Sequence, residues 1–180
     1  MAEGLPGGPG TGIFPLSTPI PPKGDSEVLL GELRVLILFK NSLGGNIPPS
    51  YDKFGKLTHL DLSHNHLEGD VPHGLFTIGP LKRLHLEHNH LLTGTLPPSM
   101  AGVPNLEALT VHYNKLDGGI PADIGSCGSL KELSLHHNKM TGPFPSSLLS
   151  VVGMRRLFLN NNHFDPPSPA YVEALLAAGD

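Results

Sequence analysis

Cysteine is nearly absent from this chain, since Cys127 is the only one among its 180 residues. A single thiol has no partner within its own chain, which excludes an intrachain disulfide. The sequence also lacks any Asn-x-Ser/Thr acceptor for glycosylation. We expect Cys127 to be a half-buried structural thiol, because no histidine or lysine stands beside it in the sequence to make it reactive.

Long apolar runs and an excess of positive charge are also missing. No stretch approaches the ~20 apolar residues that cross a bilayer, so we expect no membrane span in this chain. The formal net charge of -4 argues against nucleic acid as a partner, because phosphate contacts require lysine and arginine. No nucleophile stands beside a base in a local motif and no kinase signature is present, so we predict no enzymatic activity and no cofactor.

The beginning of the chain is rich in glycine and proline and lacks the features of a secretory signal. Residues 1 to 24 have no basic segment followed by an apolar one. We interpret them as a flexible lead-in, followed by a degenerate N-terminal cap over residues 25 to 32 that includes Val28, Leu29 and Leu30, with Ile20 before it. The location remains open: cytoplasmic if the chain is complete, extracellular or membrane-tethered if it is a fragment.

Repetition is what the sequence has in abundance. Six near-copies of one pattern begin at successive intervals of 24, 24, 25, 24 and 24 residues, with one inserted residue near Leu92. Their first residues are Leu33, Leu57, Leu81, Leu106, Leu130 and Met154. A fixed period in this range is typical of a solenoid, in which each unit buries its apolar face only against its neighbours.

Each repeat begins with a short strand. In Leu57-x-x-Leu60-x-Leu62, Leu60 and Leu62 alternate as in a strand with one buried face, and stacking of the units about 4.8 Å apart gives a parallel sheet. An asparagine then follows at the point where the chain turns into the core, where its amide can satisfy buried backbone groups. These structural asparagines are Asn41, Asn65, Asn89, Asn114, Asn138 and Asn162.

The second half of each of the first five repeats has a Gly-x-apolar-Pro signature, as in Gly69-Asp70-Val71-Pro72. Glycine permits a turn conformation closed to other residues, and proline prevents a second strand or helix from propagating regularly. We therefore predict an irregular convex side with short helical turns. After Ser168, the segment Pro169 to Gly179 has the signals of a helix start and stop, and we expect Val172, Leu175 and Leu176 to close the last repeat.

The pattern L-x-x-L-x-L-x-x-N-x-L-x-G-x-I-P resembles the plant-type leucine-rich-repeat family of receptor-like kinase ectodomains, receptor-like proteins and polygalacturonase-inhibiting proteins. The resemblance covers residues 33 to 165, the six repeats, and leaves residues 166 to 180 as a C-terminal capping helix. It implies an α/β solenoid: a right-handed horseshoe with a parallel sheet on its concave face. The family usually has a cysteine-pair cap before its first repeat, and this sequence departs from it there.

In such scaffolds the free face of the sheet binds partners. It comprises the third, fifth, seventh and eighth positions of each repeat, and histidine dominates the middle repeats. We predict that another protein or peptide binds there. The candidate residues are Phe39, His59, Asp61, His64, Arg83, His85, Glu87, His88, His112, Tyr113, His136, His137, Arg156 and Phe158.

The histidines suggest two further hypotheses. The first is a transition-metal site formed by His85, Glu87, His112 and His136, against the alternative that solvated histidines tile an exposed surface. The second is pH-dependent binding, because protonation of all 11 histidines around pH ~6.5 would change the formal charge from -4 to +7.

The sequence therefore predicts a non-enzymatic, monomeric binding module. The family resemblance implies a role in signalling, defence or enzyme inhibition. The alternatives are a fragment of a receptor-like kinase ectodomain, or a surface-active protein that binds ice. Ice binding requires a flat, regular array of small polar side chains, and Thr110, Ser134 and Asn160 do not continue along one column.

Overall fold

A computed structural model describes residues 14–15 and 31–177. The expected N-terminal cap residues Ile20, Val28, Leu29 and Leu30 lie outside the described part, as does Gly179. The strands are β1 Phe14–Pro15, β2 Val35–Ile37, β3 Leu43–Asn46, β4 His59–Asp61, β5 His66–Asp70, β6 Arg83–His85, β7 Leu91–Thr93, β8 Ala108–Thr110, β9 Glu132–Ser134, β10 Thr141–Gly142, β11 Arg156–Phe158 and β12 His163–Phe164. Among the described residues, an α-helix, α1, spans Pro169–Ala177.

Six of these strands form a continuous parallel sheet in the order β11-β9-β8-β6-β4-β2. Each strand pairs with the strand of the next repeat in an unshifted register, so that Leu60 lies opposite Leu84 and Leu84 opposite Leu109. Equivalent residues of neighbouring repeats therefore lie side by side across the sheet. The predicted leucine-rich-repeat solenoid is confirmed, with this sheet on its concave face.

A second parallel sheet runs along the solenoid, and this corrects the expectation that proline would prevent a second strand. Strands β1, β3, β5 and β7 form it, and β10 pairs with β12. The glycines of the Gly-x-apolar-Pro signature have positive φ, 71° at Gly69, as predicted. Proline follows the strand, as Pro72 follows β5, so it ends the strand without blocking it.

Short 3-10 helices lie on the convex side, which confirms the prediction of helical turns there. They span Pro49–Lys53, His73–Thr77, Ile124–Ser126 and Ser146–Ser150. Three of them begin directly after the signature prolines Pro48, Pro72 and Pro145, whose extended backbone directs the chain into the turn.

The core is a stack of leucines contributed by every repeat. Leu57, Leu60, Leu62 and Leu67 of the second repeat are fully buried. Cys127 is also fully buried, which corrects the expectation of a half-buried thiol. Its Sγ lies near the carbonyl oxygens of the preceding repeat, and burial raises the pKa of the thiol to about 11. The thiol is therefore an inert packing group.

From the second repeat onward, the asparagine predicted to be structural connects its repeat to the one before it. Asn89 Nδ2 donates to the carbonyl oxygens of Leu62 and Leu86 at 3.0 Å, and its Oδ1 accepts the N–H of Leu67 at 3.1 Å. The inserted residue lies in the repeat of Asn89, and Asn114 of the following repeat accepts the N–H of Asn89 itself at its Oδ1. The insertion is thus accommodated without breaking the ladder.

Helix α1 begins as predicted, with the Ser168 hydroxyl accepting the N–H of Tyr171 at 3.2 Å. Its apolar face differs from the prediction, because Val172 is 40% exposed and Leu176 is 70% exposed. The side chain of Leu175 lies outside the described residues. Tyr171 contacts the ring of Phe144 at 5.9 Å, and Val172 borders an apolar cavity with Leu157 and Leu159 of the last repeat, so the helix covers that repeat only in part.

Candidate functional site

The strand residues that face away from the core form the concave face together with the two or three residues after each strand. All fourteen predicted partner-binding residues lie in these positions. Because the register is unshifted, they form columns that run across the repeats. Residues 24 or 25 positions apart in the sequence thus become direct neighbours.

The last of these columns has an unusual backbone that the sequence analysis missed. Its six members all have φ between 52° and 56°, in the left-handed region that non-glycine residues rarely occupy. They are Lys40, His64, His88, Tyr113, His137 and Asn161. Asn161 was the available signal, since asparagine is the residue most tolerant of this conformation after glycine.

The shared conformation stacks four rings face to face. The ring centroids of His64 and His88 are 4.3 Å apart, those of His88 and Tyr113 4.5 Å, and those of Tyr113 and His137 4.3 Å. The planes deviate from parallel by no more than 17°. A second stack lies beside the first and consists of His112 and His136, whose ring centroids are 4.3 Å apart.

Edge contacts join the two stacks and extend them to both ends of the sheet. Tyr113 meets His136 edge-on at 5.4 Å, while Phe39 contacts His64 at 6.2 Å and Phe158 contacts His136 at 5.8 Å. We call these eight residues the ring ladder. They are Phe39, His64, His88, His112, Tyr113, His136, His137 and Phe158. The ring ladder spans all six repeats, with the partly exposed phenylalanines at its two ends.

Small hydroxyl residues lie beneath the rings, which corrects their placement among freely exposed columns. Ser63, Thr110 and Ser134 are only 2–4% exposed. The Thr110 hydroxyl donates to Glu87 and lies 2.6 Å from His85 Nδ1. The Ser134 hydroxyl lies between the imidazoles of His112 and His136, 3.1 and 3.0 Å from their Nδ1 atoms. These hydroxyls anchor the larger polar side chains above them, and the sequence analysis gave them no such role.

Burial and mutual repulsion depress the basicity of several concave histidines. The pKa of His112 falls to about 4, first because of burial and then because of the neighbouring His136 and His88. Burial is also the largest cause of the lowered pKa of His88 and of His136. His59 has a lowered pKa from burial and from Arg83. The expectation that all histidines titrate around pH ~6.5 is therefore wrong for these four.

This depression predicts a stability that falls on acidification. Above pH 6.5 His112 is neutral in both the folded and the unfolded protein. Between pH 6.5 and about 4 it is protonated in the unfolded chain but stays neutral in the folded one, so acidification favours unfolding. Allowing for partial exposure, we expect His112 to contribute a loss of about 1 to 2 kcal/mol between pH 7.5 and 5. Urea unfolding at the two pH values measures it.

The matched variant is His112→Gln, which keeps a polar side chain and removes the titrating group. It should lose less stability than the original protein over the same pH interval. An equal loss in both proteins would assign the acid sensitivity to other residues.

One edge of the concave face is charged and largely paired. Arg156 pairs with Glu132 at 2.6 Å, and Lys131 pairs with Glu107 at 2.8 Å. Arg83 borders the same shallow cavity of about 230 Å³ but makes no ion pair within the described residues. Of the two predicted arginines, Arg83 is thus the one that remains available to a partner.

The four candidate metal ligands do not converge. His85 Nδ1 and Glu87 face each other at 3.9 Å across Thr110, whereas His112 and His136 stack on each other. In the part of the chain that the structure describes, no three histidine, cysteine or acidic side chains are grouped to hold a metal ion. The geometry does not favour the metal hypothesis.

The repeated strands, the asparagine ladder and the exposed concave sheet define a leucine-rich-repeat domain. The family models described as leucine rich repeat match residues 55–116 and 129–151. No curated protein matches the chain. Among the described residues, no helix has the length and apolar character needed to cross a bilayer.

Solved structures specify the kind of repeat domain. The chain is 31% identical to the plant peptide hormone receptor RGFR1 in complex with RGF2, with a TM-score of 0.77 over 83% of this chain and 24% of that one. It is 33% identical to the GASSHO1/SCHENGEN3 ectodomain of Arabidopsis thaliana bound to CASPARIAN STRIP INTEGRITY FACTOR 2, with a TM-score of 0.73 over 77% and 17%.

A third similar structure is the Arabidopsis receptor kinase HAESA in complex with the peptide hormone IDA and the co-receptor SERK1. The identity is 32% and the TM-score 0.73, over 81% of this chain and 28% of that one. The chain thus spans about a quarter or less of most of these relatives. It is a leucine-rich-repeat domain that resembles the ectodomains of plant receptor kinases.

Proposed function

We propose that this domain binds a peptide or another protein on its concave face, in signalling, defence or enzyme inhibition. The observation that carries the proposal is the ring ladder. Its aromatic rings supply rigid contact area at a small entropic cost, and aromatic residues, tyrosine above all here, are enriched where partners bind. The stacks hold these rings in place before a partner arrives, which lowers the cost of ordering them on binding.

The relatives support this function. Solved complexes of receptor ectodomains similar to this chain contain peptide hormones, and one also contains a co-receptor. An ectodomain of this kind is itself non-catalytic. The ice-binding alternative loses two of its three polar residues, because Thr110 and Ser134 are buried under larger side chains.

The test replaces two central rings by the residue that the last repeat already uses. In the double variant His88→Asn/Tyr113→Asn, asparagine retains the tolerance for positive φ seen at Asn161 while removing both rings. Ligands are first selected from a displayed random-peptide library with the original domain. We expect the variant to bind the selected peptides at least about tenfold more weakly, as loss of central aromatic contacts does elsewhere.

The matched control is Val152→Ser, a residue that is 96% exposed after the convex helix Ser146–Ser150. It should leave the affinity unchanged. Binding that survives the double variant but fails in the control would place the binding site on the convex side and overturn the proposal. Circular dichroism of each variant verifies that the fold is retained.

A further inference from the structure

In two histidines of the concave face, the ring nitrogen Nδ1 lies within hydrogen-bond distance of a threonine hydroxyl. Nδ1 of His59 lies 2.9 Å from Thr58 Oγ1. Nδ1 of His85 lies 2.6 Å from Thr110 Oγ1. A neutral imidazole carries its one proton on either Nδ1 or Nε2, and its hydrogen-bond partner decides which.

Both threonine hydroxyls already donate their proton in another hydrogen bond. Thr58 donates to the carbonyl oxygen of Arg34 at 2.8 Å, and that oxygen can only accept. Thr110 donates to the carboxylate of Glu87. Each hydroxyl has a single proton, so it can only accept from the imidazole. Nδ1 of His59 and of His85 must therefore be the protonated nitrogen.

The same count applies to the pair of histidines on the next two repeats. Ser134 Oγ lies 3.1 Å from Nδ1 of His112 and 3.0 Å from Nδ1 of His136. Its one proton serves at most one of these nitrogens. At least one of the two imidazoles must therefore carry its own proton on Nδ1.

We propose that Thr58, Thr110 and Ser134 set the hydrogen-bonding polarity of the concave face, so that neutral His59, neutral His85 and at least one of His112 and His136 present Nε2 as an acceptor and select a donor-rich peptide. The inference rests on the proposed function, because it names the chemistry of the ligand at that site. Within the described residues, Nε2 of His59 and of His85 has no hydrogen-bond partner. A ligand can therefore reach these acceptors without breaking an internal bond.

The charges near His85 agree with this polarity. Asp61 lies beside His85 across the sheet, and Glu87 lies two residues after it. Both are acceptors, and they favour a ligand with a positive charge as well as N–H groups. Arg83 lies opposite His59 in the sheet and lines the same shallow cavity as His85, so it opposes a cation on that side of His85, away from Asp61 and Glu87. The favoured ligand is therefore a peptide that places an arginine or lysine over His85.

The tautomers are measurable in the free protein, without any ligand. Long-range nitrogen-15 NMR at about pH 8 distinguishes the two neutral imidazole forms. We expect His59 and His85 to carry the proton on Nδ1. Thr58→Val nearly keeps the shape of the side chain but removes the hydroxyl, and it should shift His59 toward the Nε2 form while leaving His85 unchanged. A proton on Nε2 of His85 in the original protein would overturn the inference.

The selectivity is measured with two blocked peptides, acetyl-Gly-Arg-Gly-Arg-Gly-amide and its counterpart with glutamate in place of arginine. We expect the original domain to bind the arginine peptide at least about tenfold more tightly. Equal binding, a preference for glutamate or binding of neither peptide would overturn the selectivity. If the peptides selected from the library still bound the original domain and lost affinity in the His88→Asn/Tyr113→Asn variant, the proposed function itself would stand.

Discussion

Replacing Asn89 by alanine is expected to lower the free energy of unfolding by about 4 kcal/mol. The side chain is fully buried and bonds to backbone groups of two repeats. Alanine leaves the buried N–H of Leu67 without its partner, at a cost of about 1 to 3 kcal/mol, and removes one of the two amide donors to each of the carbonyl oxygens of Leu62 and Leu86, at about 0.5 to 1.5 kcal/mol for each lost bond. Urea unfolding measures the loss.

Asn41 provides the matched control within the same chain. It occupies the equivalent position in the first repeat, where it is exposed and its Nδ2 donates to Leu38 and Phe39 of its own repeat. Asn41→Ala should cost less than about 1 kcal/mol, because water can replace these bonds. A similar cost for the two variants would show that the connection between repeats is not what makes Asn89 important.

Replacing Gly102 by alanine is expected to cost about 3 kcal/mol, because the repeats pack too closely there for a side chain. A Cβ at this position would lie 2.3 Å from the carbonyl oxygen of Phe76 and 3.2 Å from Cα of Thr77. Both contacts are with the backbone of the preceding repeat, inside the 3-10 helix His73–Thr77. Neither can be relieved by turning a side chain, so one repeat must move relative to the other.

Gly128 is the control for Gly102, since it lies on the convex side of the next repeat and a Cβ there meets nothing within 4 Å. Gly128→Ala should change stability by no more than about 1 kcal/mol, with a slight gain from the reduced entropy of the unfolded chain. Thermal unfolding of the two variants tests the contrast. If Gly102→Ala proved as mild as Gly128→Ala, the close packing of the convex turns would be contradicted.

Much of the concave face was predictable because strand alternation acts locally. Leu60 and Leu62 had to face the core, so His59 and Asp61 had to face outward. The same reasoning failed for Thr110 and Ser134, which point outward but are covered by larger neighbours. Alternation gives the direction of a side chain, whereas its exposure depends on what the adjacent repeats place beside it.

The second sheet and the ring stacks were not predicted, for a similar reason. Proline at position 72 indicated an irregular segment, yet the strand before it pairs with the equivalent segment of the next repeat. His88 and Tyr113 occur in different repeats of the sequence, and nothing in either repeat reveals that their rings lie parallel. Both features arise from pairing between repeats.

The sequence by itself determined the single repeat. The leucine spacing specifies a strand with one buried face, the asparagine specifies the turn into the core, and glycine followed by proline specifies the return, because each acts through its own backbone or its nearest neighbours. The tertiary structure alone decided the properties that two repeats share: the stacked rings, the lowered pKa of His112 and the protonated nitrogen of His85. These depend on bringing residues 24 or 25 positions apart to within one strand spacing, about 4.8 Å, where rings touch, protons are shared and water is excluded.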